Sequence, residues 1–187
     1  MMKGNSMACN AIERVTQSRR PRGFTLIETL TSVAIASILL TAAVPAMQDF
    51  ITRNRMSTEV NTFVASSYLA RSEAVKRLQK VSLCPVDSTG ACDPSSEDWE
   101  QGWKVYYTDP ATGNDVTLQQ NPALPSRFKI MGTQSSFAYD PTGQLYNPGT
   151  NGHYDFCDTG DVAQGRRVTV SQAGRIRVDQ LTTIGCS

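Results

Sequence analysis

One long apolar segment, residues 24–47, limits what this 187-residue chain can fold into. It contains a single charged residue, Glu28, and follows residues 19–23, which include three arginines. As an α-helix with a rise of about 1.5 Å per residue it would be roughly 36 Å long, enough to cross a hydrocarbon core of about 30 Å. Because basic residues flank its N-terminal end, we expect that end to stay in the cytoplasm and the rest of the chain to lie across the membrane.

A cleaved secretory signal is the alternative interpretation of this segment. Such signals have a shorter apolar region that ends in a cleavage site of small residues. Ala42, Ala43 and Ala46 offer small residues near the end of the segment. Cleavage after Ala43 or Ala46 would discard the apolar segment, whereas a membrane helix would retain it.

The junction between the basic leader and the apolar segment reads Gly-Phe-Thr-Leu-Ile-Glu at residues 23–28, with Pro45 further on. This pattern resembles the class III leader of type IV pilins and pilin-like proteins. The resemblance implies that a prepilin peptidase removes residues 1–23 by cutting between Gly23 and Phe24. It also implies that Phe24 becomes N-methylated and that residues 24–47 remain as the transmembrane and assembly helix.

Glu28 is the one acid within the predicted membrane segment. An ionised acid in hydrocarbon is costly and usually has a partner. The free amine of Phe24 in a neighbouring pilin would be a suitable partner, which makes Glu28 a candidate assembly residue. The alternative is that Glu28 lies close enough to the headgroups to reach water.

Beyond the membrane segment, residues 48–80 are predicted to continue as an amphipathic helix. One face of that helix contains residues at three- and four-residue spacing, namely Val60, Phe63, Val64, Ser67, Ala70, Arg71, Ala74 and Leu78. Residues 81–187 are predicted to form a small β-rich domain. Short β-branched or aromatic runs predict strands at residues 81–84, 102–108, 127–131, 136–140, 166–170 and 175–179. The polar stretches between them, at residues 85–98, 109–125 and 141–161, are predicted to be loops. The fold class is therefore α+β, with a helix packed on antiparallel sheet.

Four cysteines remain once the leader, with Cys9, is removed. An even number outside the cytoplasm indicates disulfides, and three pairings are possible. We favour Cys84 with Cys92, which closes a short loop, and Cys157 with Cys186, which fixes the C-terminus to the domain. No metal site or cofactor is predicted, because the sequence has one histidine, His153, and no Cys-x-x-Cys pair. The sequence contains no nucleophile motif and no phosphate loop, so it gives no indication of an enzyme.

Further segments narrow the resemblance to the FimT/GspH family, namely residues 65–77, Val-Ser-Leu-Cys at residues 81–84, Trp-Glu-Gln-Gly-Trp at residues 99–103 and Gly-Arg-Ile-Arg at residues 174–177. The family includes minor pilins of type IV pili and the minor pseudopilin of type II secretion. The resemblance implies a pilin-like fold with a single pass through the inner membrane, a periplasmic domain and incorporation into a fibre.

Residues 166–179, here called the arginine hairpin, carry four of the arginines. If Val168, Val170, Ile176 and Val178 share one face, Ser171 falls opposite Arg175 and Gly174 takes the left-handed position of the loop. Arg175 and Arg177 then point to solvent with Arg167, which lies opposite Asp179, while Arg166 turns to the other face or to the edge. Without residues 1–23, which hold five of the 18 basic and one of the 17 acidic residues, the net charge is −3. The hairpin is thus a local basic surface.

Gly174-Arg175-Ile176-Arg177 matches a Gly-Arg-x-Arg motif that is associated with DNA binding in FimT proteins of natural transformation. The resemblance implies that Arg175 and Arg177 contact double-stranded DNA and that Gly174 is the turn residue. Arg167, Arg166 and Lys129 are further candidates, for which the family pattern gives no role. Arginine contacts to phosphate would be indifferent to sequence.

The alternative function is structural. Exposed strands often carry charge for solubility, and the same arginines could contact a neighbouring subunit. The chain would then be a pilus-initiating minor pilin or a pseudopilin of type II secretion.

Overall fold

The computed structural model describes residues 23–93, 95–146, 151–160 and 165–181. Within these ranges the chain forms one helix and eight strands, which are α1 (Leu26–Arg77), β1 (Val81–Pro85), β2 (Trp103–Thr108), β3 (Asp115–Asn121), β4 (Phe128–Gly132), β5 (Phe137–Tyr139), β6 (Gly152–Asp158), β7 (Gly165–Val170) and β8 (Ile176–Leu181). The chain divides after Ala46 into two compact units, which are described separately.

In the first unit, the described residues 23–46 consist of a short non-helical stretch and the start of α1. Thr25 caps the helix, because its Oγ1 accepts a hydrogen bond from the N–H of Glu28 at 3.3 Å. The apolar side chains that follow are exposed, among them Leu26, Ile27, Leu30, Val33, Ile35, Ile38, Leu39, Leu40 and Val44. By length and composition α1 is able to cross a membrane.

In the second unit, the rest of α1 buries one face of the helix. The buried residues follow the predicted spacing and are Met56, Val60, Phe63, Ser66, Ser67, Ala70 and Ala74. The helix ends at Arg77, three residues before its expected end. Leu78 takes a left-handed φ of 53°, and the N–H of Gln79 donates to the Ala74 carbonyl at 3.3 Å. This hydrogen bond is typical of a Schellman cap. Leu78 is therefore exposed and was wrongly placed on the buried face.

The strands form two antiparallel four-stranded sheets, with orders β3-β2-β1-β5 and β4-β6-β7-β8. All six predicted strands are present, with their ends shifted by one or two residues. Two further strands, β3 and β6, lie in stretches that were wrongly predicted to be loops. β3 is an exposed edge strand with little apolar content. In β6, buried Tyr154 and Phe156 alternate with polar residues, as the two-residue period of a strand requires. Those polar residues give the segment the composition of a loop.

Phe63 of α1 lies at the centre of the aromatic core. Its ring centroid lies 5.5 Å from that of Trp99, 5.4 Å from that of Trp103 and 4.9 Å from that of Tyr154. One turn on, Oγ of Ser66 accepts hydrogen bonds from Nε1 of Trp103 at 3.0 Å and from Nδ2 of Asn121 at 3.1 Å. Trp103 is fully buried. These contacts pack α1 against both sheets, because Trp103 and Asn121 belong to the first and Tyr154 belongs to the second.

The structure contains the predicted disulfide between Cys84 and Cys92. Inside the loop that it closes, Oδ1 of Asp87 accepts hydrogen bonds from the N–H and the hydroxyl of Thr89 at 2.8 and 2.6 Å. Cys157 is disulfide-bonded as well. Cys186 lies outside the described residues, so the pairing of Cys157 with Cys186 stays a prediction.

Candidate nucleic-acid interface

The arginine hairpin consists of β7, β8 and the turn between them. Its register pairs Val168 with Val178 and Thr169 with Arg177, as predicted. At the turn, the N–H of Ser171 donates to the Arg175 carbonyl at 2.9 Å, and the N–H of Gly174 donates to the Ser171 carbonyl at 2.8 Å. The two-residue alternation of valines therefore predicted the hairpin correctly.

Gly174 is required at the turn for two reasons. Its φ is +71°, in the left-handed region that side chains with a Cβ rarely adopt. A Cβ at this position would also overlap the carbonyl oxygen of Gly143, which belongs to a neighbouring turn. The backbone of the hairpin tip is thus packed directly against another turn.

The two faces of the hairpin have different environments. Val168 and Val170 are fully buried, and Ile176 is partly buried against the same core. Val178 shares this inner face but is 41% exposed, because β8 is an edge strand that, among the described strands, pairs with β7 alone. The opposite, outer face carries the arginines that were predicted to point to solvent.

Arg175 and Arg177 are exposed, as predicted. The side chain of Arg177 is 81% exposed, and its Nε lies 3.8 Å from Oδ1 of Asp179, which is itself 53% exposed. An exposed ion pair at this distance contributes little to the stability of the fold. Within the described part of the chain, neither guanidinium makes a hydrogen bond. Both side chains are therefore available to an anion in solution.

Arg167 differs from these two, because it is already paired with a carboxylate. Its Nε and Nη2 donate to the two carboxylate oxygens of Asp155, both at 2.6 Å. Asp155 comes from β6, one of the strands that the sequence did not predict. The hydrogen bond to Asp155 raises the pKa of Arg167. Asp155, which is distant in the sequence, therefore offsets the positive charge of Arg167, and the basic surface is smaller than predicted.

The other two candidates lie apart from Arg175 and Arg177. Arg166 pairs with Phe156 and Gln180 in the register and shares the inner face with Val168, which agrees with its predicted turn to the other face. Lys129 is exposed on β4, at the opposite edge of the sheet from β8. The structure thus brings together Arg175 and Arg177 and separates them from Arg166 and Lys129.

His153, which falls in the loop predicted at residues 141–161, is a neighbour of the arginines. It lies on β6, where its Nδ1 is 3.1 Å from Oγ1 of Thr169. Thr169 pairs in turn with Arg177, so His153, Thr169 and Arg177 form one row across three strands of the outer face. The alternation of Tyr154 and Phe156 was the signal that could have placed His153 on this face.

A shallow open depression lies at the tip end of the outer face. Its lining residues are Asn151, Thr169, Ser171, Gln172, Ala173, Arg175, Ile176 and Arg177. Guanidinium groups and hydroxyls donate hydrogen bonds, and guanidinium groups bind phosphate oxygens in a bidentate manner. Among the described residues, no three histidine, cysteine or acidic side chains are grouped to hold a metal ion. The chemistry that this surface offers is the binding of an anion.

The predicted processing junction precedes the helix. Gly23 and Phe24 are not helical, and Phe24 is 79% exposed. Glu28 is exposed in the first turn of α1. The cut between Gly23 and Phe24 stays a prediction.

Comparison with protein families gives two matches. Residues 59–174 match the family described as Type II transport protein GspH, and residues 18–44 match the prokaryotic N-terminal methylation motif. The GspH match ends at Gly174, so Arg175 and Arg177 lie just beyond it. No curated protein sequence matches the chain.

Solved structures with a similar fold include the following two proteins. One is the type IV minor pilin FimU of Pseudomonas aeruginosa, with 22% identity and a TM-score of 0.58, covering 74% of this chain and 98% of that chain. The other is the minor pseudopilin EpsH from the Type 2 Secretion System of Vibrio cholerae, with 12% identity and a TM-score of 0.50, covering 67% of this chain and 97% of that chain. At these identities the likeness shows the fold alone.

The GspH match spans more than half of the chain, and the methylation motif lies at the start of the apolar helix. The predicted α+β pilin-like fold is also confirmed. The chain therefore belongs to the GspH family, contains the N-terminal methylation motif and has a pilin-like fold.

Proposed function

We propose that this protein is a minor type IV pilin that binds double-stranded DNA without sequence preference, for DNA uptake in natural transformation. The observation that carries the proposal is the pair of exposed guanidinium groups of Arg175 and Arg177 on a hairpin whose tip is held in place. Residues two apart on a strand are about 6–7 Å apart and point to the same side. Both arginines can therefore contact one DNA backbone.

The expected binding is weak and depends strongly on salt. Arginine contacts to phosphate release counterions, so affinity falls as salt rises. With so few contacts, the dissociation constant should lie in the non-specific range, about 10⁻⁴ to 10⁻⁶ M. Useful capture of DNA would then require several copies or other pilins in the same fibre.

The rest of the chain has the proposed organisation of a pilin. Residues 1–23 form the leader, residues 24–47 cross the inner membrane once, and residues 48–187 lie in the periplasm as the amphipathic helix and the globular domain. The methylation motif implies processing by a prepilin peptidase and assembly with other pilins. Phe24 is the proposed site of methylation, and Glu28 is the proposed partner of its amine in a neighbouring subunit.

Processing is tested by mass spectrometry of the intact protein from inner membranes or pili. The expected product begins at Phe24 and carries one additional methyl group. A chain that begins after Ala43 or Ala46 would instead support a cleaved secretory signal and contradict retention of the apolar helix.

DNA binding is tested with the full mature chain in a nonionic detergent, by fluorescence anisotropy of a labelled duplex at low salt. Changing both Arg175 and Arg177 to Gln should remove most of the binding. The matched control is Arg53→Gln with Arg55→Gln, which removes two exposed arginines, also two positions apart, from α1. This control should bind like the parent, and two duplexes of unrelated sequence should bind alike.

The second candidate function is a structural one, favoured by the fold that the chain shares with a minor pilin and a minor pseudopilin. In that case Arg175 and Arg177 would contact a neighbouring subunit. If the double glutamine variant bound DNA like the parent, this structural function would take first place. We infer no enzymatic activity, because the family and the fold are those of structural pilins.

A further inference from the structure

Arg71 of α1 contacts the tip of the arginine hairpin, about a hundred residues further along the chain. Its Nη1 donates to the carbonyl of Gly174 at 3.0 Å, and its Nη2 lies 3.3 Å from the carbonyl of Ala173. Both acceptors belong to the turn that precedes Arg175. Two nitrogens of one guanidinium therefore bind the backbone of the segment that carries the proposed DNA contact.

The space that Arg71 occupies is left open by two glycines. A Cβ on Gly143 would lie 3.0 Å from Nε of Arg71, and a Cβ on Gly174 would lie 3.1 Å from the same atom. Both glycines have a positive φ, of 78° and 71°. The side chain of Arg71 thus lies against two turns, one at residues 140–144 and the other at the hairpin tip.

A further backbone contact joins these two turns. The N–H of Leu145, just after the first turn, donates to the Gln172 carbonyl at 2.9 Å. The tip of the hairpin is therefore held by Arg71 from the helix and by Leu145 from the neighbouring turn. These contacts restrain the backbone of the turn, which lies beyond the paired residues of β7 and β8.

We propose that Arg71 is a positioning residue for DNA binding, which holds the hairpin tip so that Arg175 is presented to phosphate. This inference rests on the proposed function. Two N–H groups of Arg71 are directed at carbonyl oxygens of the turn, and its side chain is only partly exposed. Arg71 therefore acts through the turn and not by contact with the nucleic acid. The helix, which carried no DNA-binding role in the sequence prediction, becomes part of the binding site.

Loss of Arg71 should weaken binding without changing the number of phosphate contacts. A loosened tip must be ordered again when DNA binds, and ordering one or two residues lowers affinity about two- to tenfold. The slope of log K against log salt reports the number of phosphates contacted. The slope should therefore stay at the parent value when Arg71 is removed, and fall by about one when a true phosphate contact is removed.

The experiment compares four variants of the full mature chain in nonionic detergent, in a salt titration with a labelled duplex. Arg71→Met removes the hydrogen bonds to the turn, and Arg71→Lys keeps the positive charge with a single donor nitrogen. Arg175→Gln serves as the reference for a phosphate contact. Lys76→Met is the control for charge, because Lys76 is an exposed base on the same helix that pairs with Glu73. Amide hydrogen exchange at residues 172–175 is measured on the same samples.

The expected result is lower affinity, an unchanged salt slope and faster exchange at residues 172–175 for Arg71→Met, with partial recovery in Arg71→Lys and parent behaviour in Lys76→Met. A slope reduced by about one would identify Arg71 as a direct phosphate contact and overturn the positioning role. Unchanged affinity, or unchanged exchange at the turn, would overturn it too. If the parent bound no DNA, the proposed function itself would fail, and the exchange data would still decide whether Arg71 orders the turn. If Arg71→Met did not fold, the affinity, salt slope and exchange of Arg71→Lys alone would be compared with those of the parent.

Discussion

The arginines of the hairpin have different environments on its two sides, with Arg166 and Arg167 on β7 and with Arg175 and Arg177 at the end of the turn and on β8. On β7, Arg167 is bound by both oxygens of Asp155, and Arg166 lies on the inner face. On β8 and the end of the turn before it, the guanidinium groups of Arg177 and Arg175 are exposed and make no hydrogen bond within the described residues. The difference follows from strand order, because β7 lies between β6 and β8, whereas β8 is an edge strand. A charge count along the sequence therefore overstates the cationic surface.

The largest expected effect concerns the turn that joins the two strands. Gly174→Ala should lower the free energy of unfolding by about 2 kcal/mol or more, because a left-handed backbone costs about 1 kcal/mol and a Cβ overlap adds to that cost. The measurement is unfolding followed by fluorescence of Trp99 and Trp103, which are both buried. The matched control is Gly113→Ala, because Gly113 has the same φ of 71°, but in the described part of the chain no atom beyond its two neighbours lies within 4 Å of its Cβ position. Equal losses in both variants would show that the contact with Gly143 is unimportant.

The register of this hairpin was predictable, since four apolar residues at two-residue spacing and one glycine determine it. The disulfide between Cys84 and Cys92 was predictable for a similar reason, because it closes a short local loop. The partner of Arg167 was not predictable in this way. Asp155 lies on β6, and the polar residues that alternate with Tyr154 and Phe156 made that strand look like a loop. Contacts between distant segments, such as Arg71 with Gly174, leave no periodic pattern in the sequence.

A second prediction sharpens the comparison of β7 with β8. Asp155→Asn should release Arg167 as a free cation, which makes the salt slope of DNA binding steeper by about one. The same change should lower the free energy of unfolding by about 1 kcal/mol, since the pair is partly exposed to solvent. Asp179→Asn, next to Arg177, is the control and should change stability little, because that pair is long and exposed. If Asp155→Asn left the salt slope of DNA binding unchanged, the pairing with Asp155 would not be what keeps Arg167 from contacting phosphate.

The smallest expected effect concerns pH and the turn that contacts the hairpin tip. The pKa of Asp140 is lowered, first by the hydrogen bond from the Thr142 hydroxyl at 2.6 Å and further by backbone hydrogen bonds. A carboxyl whose pKa is lower in the folded state stabilises the fold above its unfolded pKa of about 3.9, and this contribution is lost as pH falls through the folded value. The unfolding midpoint of the parent should therefore exceed that of Asp140→Asn near neutral pH, and the two should converge in acid. A difference in unfolding midpoint that stayed constant with pH would contradict the lowered pKa of Asp140.

The most direct test of the central claim is the salt dependence of DNA affinity for the parent and for the variant with both Arg175 and Arg177 changed to Gln. If these two arginines contact phosphates, the slope of log K against log salt should be lower in the variant by about two, with little change in the unfolding midpoint. Equal slopes in the two proteins would contradict the claim and assign the exposed arginines of β8 to contacts between subunits.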